Sequence, residues 1–439
     1  MKKNIITAIL AAGGLFAMAQ STPYVVPNRD WVQFYQHAAY VQNAPTTIDA
    51  NNNMYLTGYT SSGTNTSTYD ILTMKRDSLG NLIFNNAYDN GGYDVGAAIR
   101  LSGTDFFVAG TSFDTPTNND YIVIKYNNIG TQVWTYRYNN TGDIDEASDI
   151  AVDVSGNSYI TGRSKNMNGD FDIVTIKLNS SGSLQWTHTY NGASGQDDEG
   201  KKLVMIGNDV YVTGSTTDAT NGKDILVYKL NGSNGSIQWS TIYNGTANGN
   251  DVPFGMTKSG ADVLVCGQLD NTGTGMDAAI LRIDGGTGSS VYTQTYDFGN
   301  SANLATDLVR DSTGNVAVVG TAINSSVYEY HTLLFDSTGT QLWVNVESTG
   351  LYSLAANPHI ACDTIANHFY VCGEKQRATK DMFVYQLTPT GNTSWRVYQD
   401  GNASDIDAST GLAVNGVGVV YVGGMCKNSS ALYDYTCLK

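Results

Sequence analysis

Short apolar runs bounded by polar turns repeat along the whole chain. The clearest set lies between Asp149 and Tyr190. It reads "DIAVD", a turn "VSGN", "SYITG", a loop "RSKNMNGD", "FDIVTIKL", a turn "NSSGS" and "LQWTHTY". Val, Ile, Thr, Tyr and Trp dominate, and apolar and polar positions alternate with the period of a β-strand. The pattern predicts four strands, here lettered A to D, with Gly-containing hairpin turns between A and B and between C and D. "DSLGN" at Asp77 and "DSTGN" at Asp311 repeat the same turn chemistry.

The aromatic residues of strand D give the period. Trp31, Phe84, Trp134, Trp186, Trp239, Tyr292, Trp343 and Trp395 follow one another at spacings of 50 to 53 residues, and no Trp lies outside this series. In the first six copies a Tyr follows four residues later, from Tyr35 to Tyr296; Glu347 and Gln399 take that place in the last two. Positions i and i+4 of a strand share a face, so each pair predicts an aromatic stripe.

Strands A to C occur as eight sets, the last reaching Lys439, whereas strand D occurs first at "WVQFYQ" from Trp31. The order is D, then seven ABCD units, then ABC. Repeats of four strands and about 50 residues are the mark of propeller blades. The leading D strand complements the last unit, so the segment at Trp31 is predicted to pair with "YDYTCLK" (Tyr433 to Lys439) and close the ring. The expected fold is all-β: an eight-bladed β-propeller of four-stranded antiparallel blades. Seven blades with an appended unit is the competing arrangement.

Composition agrees with many short strands: 41% hydrophobic, 15% charged, 47 Gly and 28 Tyr in 439 residues. Lys2 and Lys3, the apolar run Ile5 to Phe16 and Ala17-Met18-Ala19 read as a secretory signal peptide over residues 1–19, leaving residues 20–439 as a single propeller domain. Gln20 rather than Cys follows the cleavage point, and no apolar run reaches the ~18 residues of a membrane span. A soluble, monomeric, periplasmic or extracellular protein is expected, its chain stopping inside the last blade. The net charge of −16, or −18 without Lys2 and Lys3, disfavours nucleic acid and anionic membranes as partners. Of the five Cys, the pairs Cys362/Cys372 and Cys426/Cys437 are close enough in sequence to bridge within a blade, against the reading of all five as small buried residues.

The units "GNSYITGRS…FDIVTIKLNSSGSLQWTHTYNG" and "DSTGNVAVVGT" resemble the bacterial beta-propeller repeat of the SBBP type. The resemblance spans most of residues 20–439 and is strongest from Asp143 to Gly245. It implies an exported bacterial propeller and no defined activity.

The B–C loops and the D–A links between blades read as the longer connections, and alternating strand direction puts both on one face. Binding is expected there, at the mouth of the central channel. Acidic residues concentrate in the D–A links: Asp143, Asp145, Glu146 and Asp149; Asp197, Asp198 and Glu199; Asp405 and Asp407; Asp94; Asp251. Asp94, Asp145, Asp198, Asp251 and Asp407 are the candidate calcium ligands, set against a reading as loop caps or a solvated rim. No full calcium-loop motif is present; "DANNN" at Asp49 falls in an A–B turn. A second series, Asp70, Asp120, Asp172, Asp224, Asp277, Asp381 and Asp434, opens strand C in seven units and reads as Asp accepting backbone N–H bonds, while the sixth unit has "YEYHTLL". Tyr93, Tyr328, Tyr330 and Tyr352 are candidate sugar-stacking residues, although blade-to-blade packing is the commoner use of such rings.

Catalytic signals are few. His37, His188, His331, His359 and His368 lack metal-binding spacing, and no G-x-S-x-G elbow occurs. Asp197 and Asp198 are adjacent on an extended segment and point to opposite faces. The expectation is a non-catalytic binding or scaffold protein recognising a protein or glycan. The alternative is an exported enzyme on the same face, either a glycan hydrolase or lyase, or a quinone-cofactor dehydrogenase. The last rests on architecture alone, without the repeated Trp-docking signature of such enzymes.

Overall fold

The computed structural model describes residues 30–35, 45–61, 69–115, 118–140, 143–193, 195–218, 222–298, 302–354, 356–400, 407–427 and 433–439. The expected signal peptide, Gln36, His37 and Asp405 lie outside these residues. The described residues contain no helix, and so none long and apolar enough to cross a membrane.

They form eight four-stranded antiparallel sheets. Blade 3 shows the plan, with strand A at Asp145–Val152, B at Ser158–Lys165, C at Phe171–Leu178 and D at Leu184–Tyr190. Strands B and C are buried along most of their length because both faces are covered by neighbouring blades, which explains their near-continuous apolar runs. Strand D alternates because one edge and face meet solvent. The core lies between blades: Phe107, Ala109, Tyr121 and Val123 of blade 2 pack on Ile150, Ile160, Val174 and Ile176 of blade 3.

Closure follows the strand count. The eighth blade takes its first three strands from Asp407–Val414, Val420–Lys427 and Tyr433–Leu438, and its fourth from Val32–Tyr35. Val32 faces Leu438 and Tyr35 faces Tyr435. Backbone bonds from Asp30 N–H to the Lys439 carbonyl (3.0 Å) and from Lys439 N–H to the Trp31 carbonyl (3.1 Å) extend the seam. The eight-blade reading therefore replaces the arrangement with an appended unit.

The strand D aromatics tie each blade to the next. Trp134 covers Gly182 in the C–D turn of blade 3, where a Cβ would lie 2.7 Å from the indole, and its Nε1 donates to the Ser180 carbonyl at 3.1 Å. Trp31 on Gly80, Phe84 on Gly130, Trp186 on Gly235, Trp239 on Gly288, Tyr292 on Gly339 and Trp343 on Gly391 repeat the contact. Blade 6 departs from the Tyr pattern for an electrostatic reason: buried Glu347 replaces the Tyr and pairs with Lys375 (2.8 Å) and Arg396 (2.7 Å) of blade 7.

Neither candidate disulfide forms: all five cysteines are free, and four of them are buried. Cys362 faces Phe369, three residues short of Cys372, and Cys437 faces Gly423, three residues from Cys426. An odd offset sends the two side chains of each pair to opposite faces of the blade. Loop lengths also differ from expectation. In blades 5 and 6 strands B and C run on to tight turns, and Ser325 and Ser326 both adopt positive φ (50° and 73°), as a two-residue hairpin requires.

Candidate functional site

The axial channel is built by the A strands. The pairing of A with B shifts register between Gly96 and Ala98, Ala147 and Asp149, Gly200 and Lys202, Pro253 and Gly255, Ala305 and Asp307, and Ser409 and Gly411. Each shift is a β-bulge, which bends the strand and re-aims a side chain. The bulged residues Ala97, Ser148, Phe254, Thr306 and Thr410 line a cavity of about 710 Å³. They stand near the starts of the A strands, so the cavity reaches the face that carries the D–A links.

Five charged or titratable residues enter this cavity: Arg100, Asp149, Lys202, Asp307 and His359. Asp149 joins three successive blades, pairing with Arg100 of blade 2 at 2.9 Å and accepting the Leu203 N–H of blade 4 at 3.2 Å. Asp307 of blade 6 lies 3.2 Å from His359 Nδ1 and accepts the Ile360 N–H of blade 7. Both carboxylates act as ties between blades.

The five candidate calcium ligands are all fully buried at the starts of A strands or in the links leading to them, which excludes the solvated-rim reading. They cap the links. Asp94 accepts the Asn90 N–H, Asp145 the Asn140 N–H, Asp198 the Gly192 and Thr217 N–H groups, Asp251 those of Gly245 and Asp270, and Asp407 that of Lys427. Burial is the main force on the acidity of Asp94, Asp145, Asp198 and Asp251. Asp145 is pushed up to about 7, with the nearby charges of Asp120 and Asp143 adding to it; Asp94, Asp198 and Asp251 are also raised. At the start of strand C, several members of the second series meet side chains: Asp120 takes Arg137, Asp172 takes Asn166, and Asp277 takes Asn271 and Thr274. Asp224 is pushed up to about 6, first by burial and then by Asp251 and Asp218.

Among the described residues, acidic triplets close enough to share one ion form at two blade junctions: Asp70, Asp89 and Asp94, and Asp381, Asp400 and Asp407. In each, the carboxylate oxygens lie within 4.8 Å of one another. Two of the five candidates, Asp94 and Asp407, thus enter clusters, whereas Asp145, Asp198 and Asp251 do not. Asp89 and Asp400 escape a sequence reading because their position, directly after strand D, is Asn in other blades (Asn139, Asn191, Asn244).

The four tyrosines do not form one site. Tyr93 is 41% exposed and belongs to a ring cluster with Tyr69 (5.5 Å) and, through it, Tyr59 (4.7 Å). Tyr328 is half-buried in blade 6 opposite Leu351, next to the exposed Tyr352. Tyr330 is fully buried, and its hydroxyl accepts the Glu374 N–H across the blade 6–7 junction at 2.8 Å. It is a packing residue and meets no solvent. His331 is buried beside Glu329 (3.2 Å), which takes the place of the strand C Asp, and burial lowers its pKa.

A glycine series was not singled out in the sequence although it is plainly there. Gly110, Gly162, Gly214, Gly267, Gly320 and Gly424 of strand B stand against the bulged strand A, where a Cβ would come within 1.9–2.3 Å of a backbone carbonyl. Only Gly permits so close an approach.

Thirty-two strands in eight closed blades around an axial channel define an eight-bladed β-propeller. The chain carries the SBBP beta-propeller repeat, with residues 133–170 matching that family. No curated protein matches the sequence. Among solved structures, the chain is similar to a quinohemoprotein alcohol dehydrogenase from Comamonas testosteroni (11% identity, TM-score 0.55, covering 94% of this chain and 76% of that one). It is also similar to a europium-containing methanol dehydrogenase (10% identity, TM-score 0.54, covering 91% and 85%). At these identities the likeness is one of fold alone.

Proposed function

We propose that this protein is an exported, non-catalytic binding scaffold that takes a protein or glycan on the face carrying the D–A links, over the mouth of the axial channel. The observation that carries this reading is the cavity of about 710 Å³ opening on that face, whose carboxylates Asp149 and Asp307 are engaged by Arg100, His359 and backbone N–H groups of neighbouring blades. Carboxylates held in this way tie neighbouring blades together. Lys202 supplies a cationic group at the mouth for an acidic or hydroxyl-rich ligand, and exposed Tyr93 and Tyr352 offer stacking faces on the rim. Rigid scaffolds with such loop faces are where recognition concentrates.

The test is a glycan array together with defined envelope proteins, run with wild type, Lys202→Ala and Tyr93→Ala. Binding that falls about tenfold in either variant, with melting unchanged, supports the reading. Binding indifferent to both changes removes this face. Turnover in a hydrolase screen, or a chromophore in the absorption spectrum of the purified protein, would replace the scaffold with an enzyme.

A further inference from the structure

We propose that the junction of blades 1 and 2 is a divalent-cation site of the calcium class, held by Asp70, Asp89 and Asp94. Three elements converge there: the start of strand C of blade 1 (Asp70–Arg76), the link after strand D of that blade, and the start of strand A of blade 2 (Asp94–Ser102). Backbone bonds fix them, with Tyr69 N–H donating to the Gly92 carbonyl and Asp94 N–H to the Tyr69 carbonyl, each at 2.8 Å. Carboxylate oxygens from all three residues then fall within 4.8 Å of one another.

Proximity alone would describe any acidic patch. What points to a ligand is Asp94. Its side chain is fully buried, its Oδ2 accepts the Asn90 N–H at 2.8 Å, and its Oδ1 is buried without a partner in hydrogen-bond geometry, the Ser112 hydroxyl lying nearby. At the equivalent residues Asp198, Asp251 and Asp407, Oδ1 accepts a backbone N–H from the end of strand B. In blade 2 the corresponding N–H, that of Phe113, goes to the Tyr93 carbonyl instead. A buried carboxylate oxygen left without a donor is costly unless a cation meets it.

At the related junctions a cation sits directly on the strand C carboxylate. Arg137 lies on Asp120 at the blade 2–3 junction, where Asp145 Oδ1 is likewise without a donor but the position after strand D is Asn139. Arg377 lies on Asp381 in the other acidic triplet. Among the described residues neither Asp89 nor Asp94 forms an ion pair within contact distance, the charge of Arg137 reaching Asp94 only from its seat on Asp120 and Ser112. Three carboxylates suit a hard cation that takes oxygen ligands, and the exposure of Asp89 leaves room for water to complete the shell.

Terbium is the probe, because Tyr69 and Tyr93 beside the site sensitise its emission. Wild-type protein should bind one Tb³⁺ saturably on tyrosine excitation and release it to Ca²⁺. Asp89→Asn should weaken binding about tenfold or more, since affinity follows the number of charged ligands. This variant keeps the fold testable: Asn occupies the same place in three other blades, and melting in chelator should be unchanged. Asp400→Asn should leave binding as in wild type. No saturable binding, binding unaffected by Asp89→Asn, or loss in Asp400→Asn instead would each overturn the site.

Discussion

Gly162 shows what a single residue does in this fold. It faces the bulge of strand A, and a Cβ there would lie 2.0 Å from the Glu146 carbonyl oxygen. That oxygen belongs to the backbone and cannot rotate away. Gly162→Ala should therefore destabilise the protein by about 3 kcal/mol, the upper range for overpacking. Gly169 is the control: its φ is +96° with open space around it, so Gly169→Ala should cost only the left-handed backbone strain, about 1 kcal/mol. Equal shifts in melting temperature for the two variants would contradict the steric account. The glycine series was visible in "YITG", "YVTG" and "VVG", yet its reason was not, because a bulge leaves no composition signal in strand A. Tyr330 was misread for a related reason. Tyr328 and Tyr330 look alike in "YEYHTLL", but in blade 6 strand C runs from Val327, which carries Tyr330 into the packed part of the blade.

At the scale of elements, the strands themselves were legible. The four strands read from Asp149 to Tyr190 match those observed, with strand A beginning four residues earlier at Asp145. Alternation and turn residues marked all four strands; in the structure B and C are buried on both faces whereas D alternates. The loops were less legible: the tight turns of blades 5 and 6 depend on strand extension, which polar residues do not reveal. The strand Val32–Tyr35 carries the sharpest consequence. Deleting residues 31–35 removes the pairing with Tyr433–Leu438 and the Trp31 contact with Gly80 and the Ser78 carbonyl. The deletion should lower the melting temperature of the whole ring and promote association through the bared strand edge. A melting curve like that of wild type, in a protein still monomeric by light scattering, would show that this strand does not hold the ring.

For the whole molecule, the buried carboxylates set a pH dependence. Asp145 is pushed up to about 7 and faces Asp120, Asp143, the Ser164 hydroxyl and the Asn140 N–H; Asp224 is pushed up to about 6 and faces Asp251 and Asp218. In the unfolded chain such groups titrate near about 3.9. Between those values the folded state binds more protons, so stability falls as pH rises through that window. Asp49 and Asp336 are shifted the other way: turn hydrogen bonds to their charged forms hold them below the usual carboxylate range. Their contribution is present above the unfolded value and is lost as pH falls toward their folded one. Buried His188 and His331, lowered by burial, act in the opposite sense over the same range, so the test isolates one carboxylate: with chelator present, Asp145→Asn should raise the melting temperature at pH 8 more than at pH 5. An equal effect at both pH values would refute this role of Asp145.

The seam of blade 8 also has a mechanical meaning. Residues 30 and 439 lie side by side at one end of an antiparallel pair. Tension applied between these two points does not load the pair's hydrogen bonds together in shear. Because those bonds run across the strands, the load falls on the outermost one first and then on each in turn, like a zip. The ring would thus yield to pulling in its weakest direction, opening first at the single strand Val32–Tyr35.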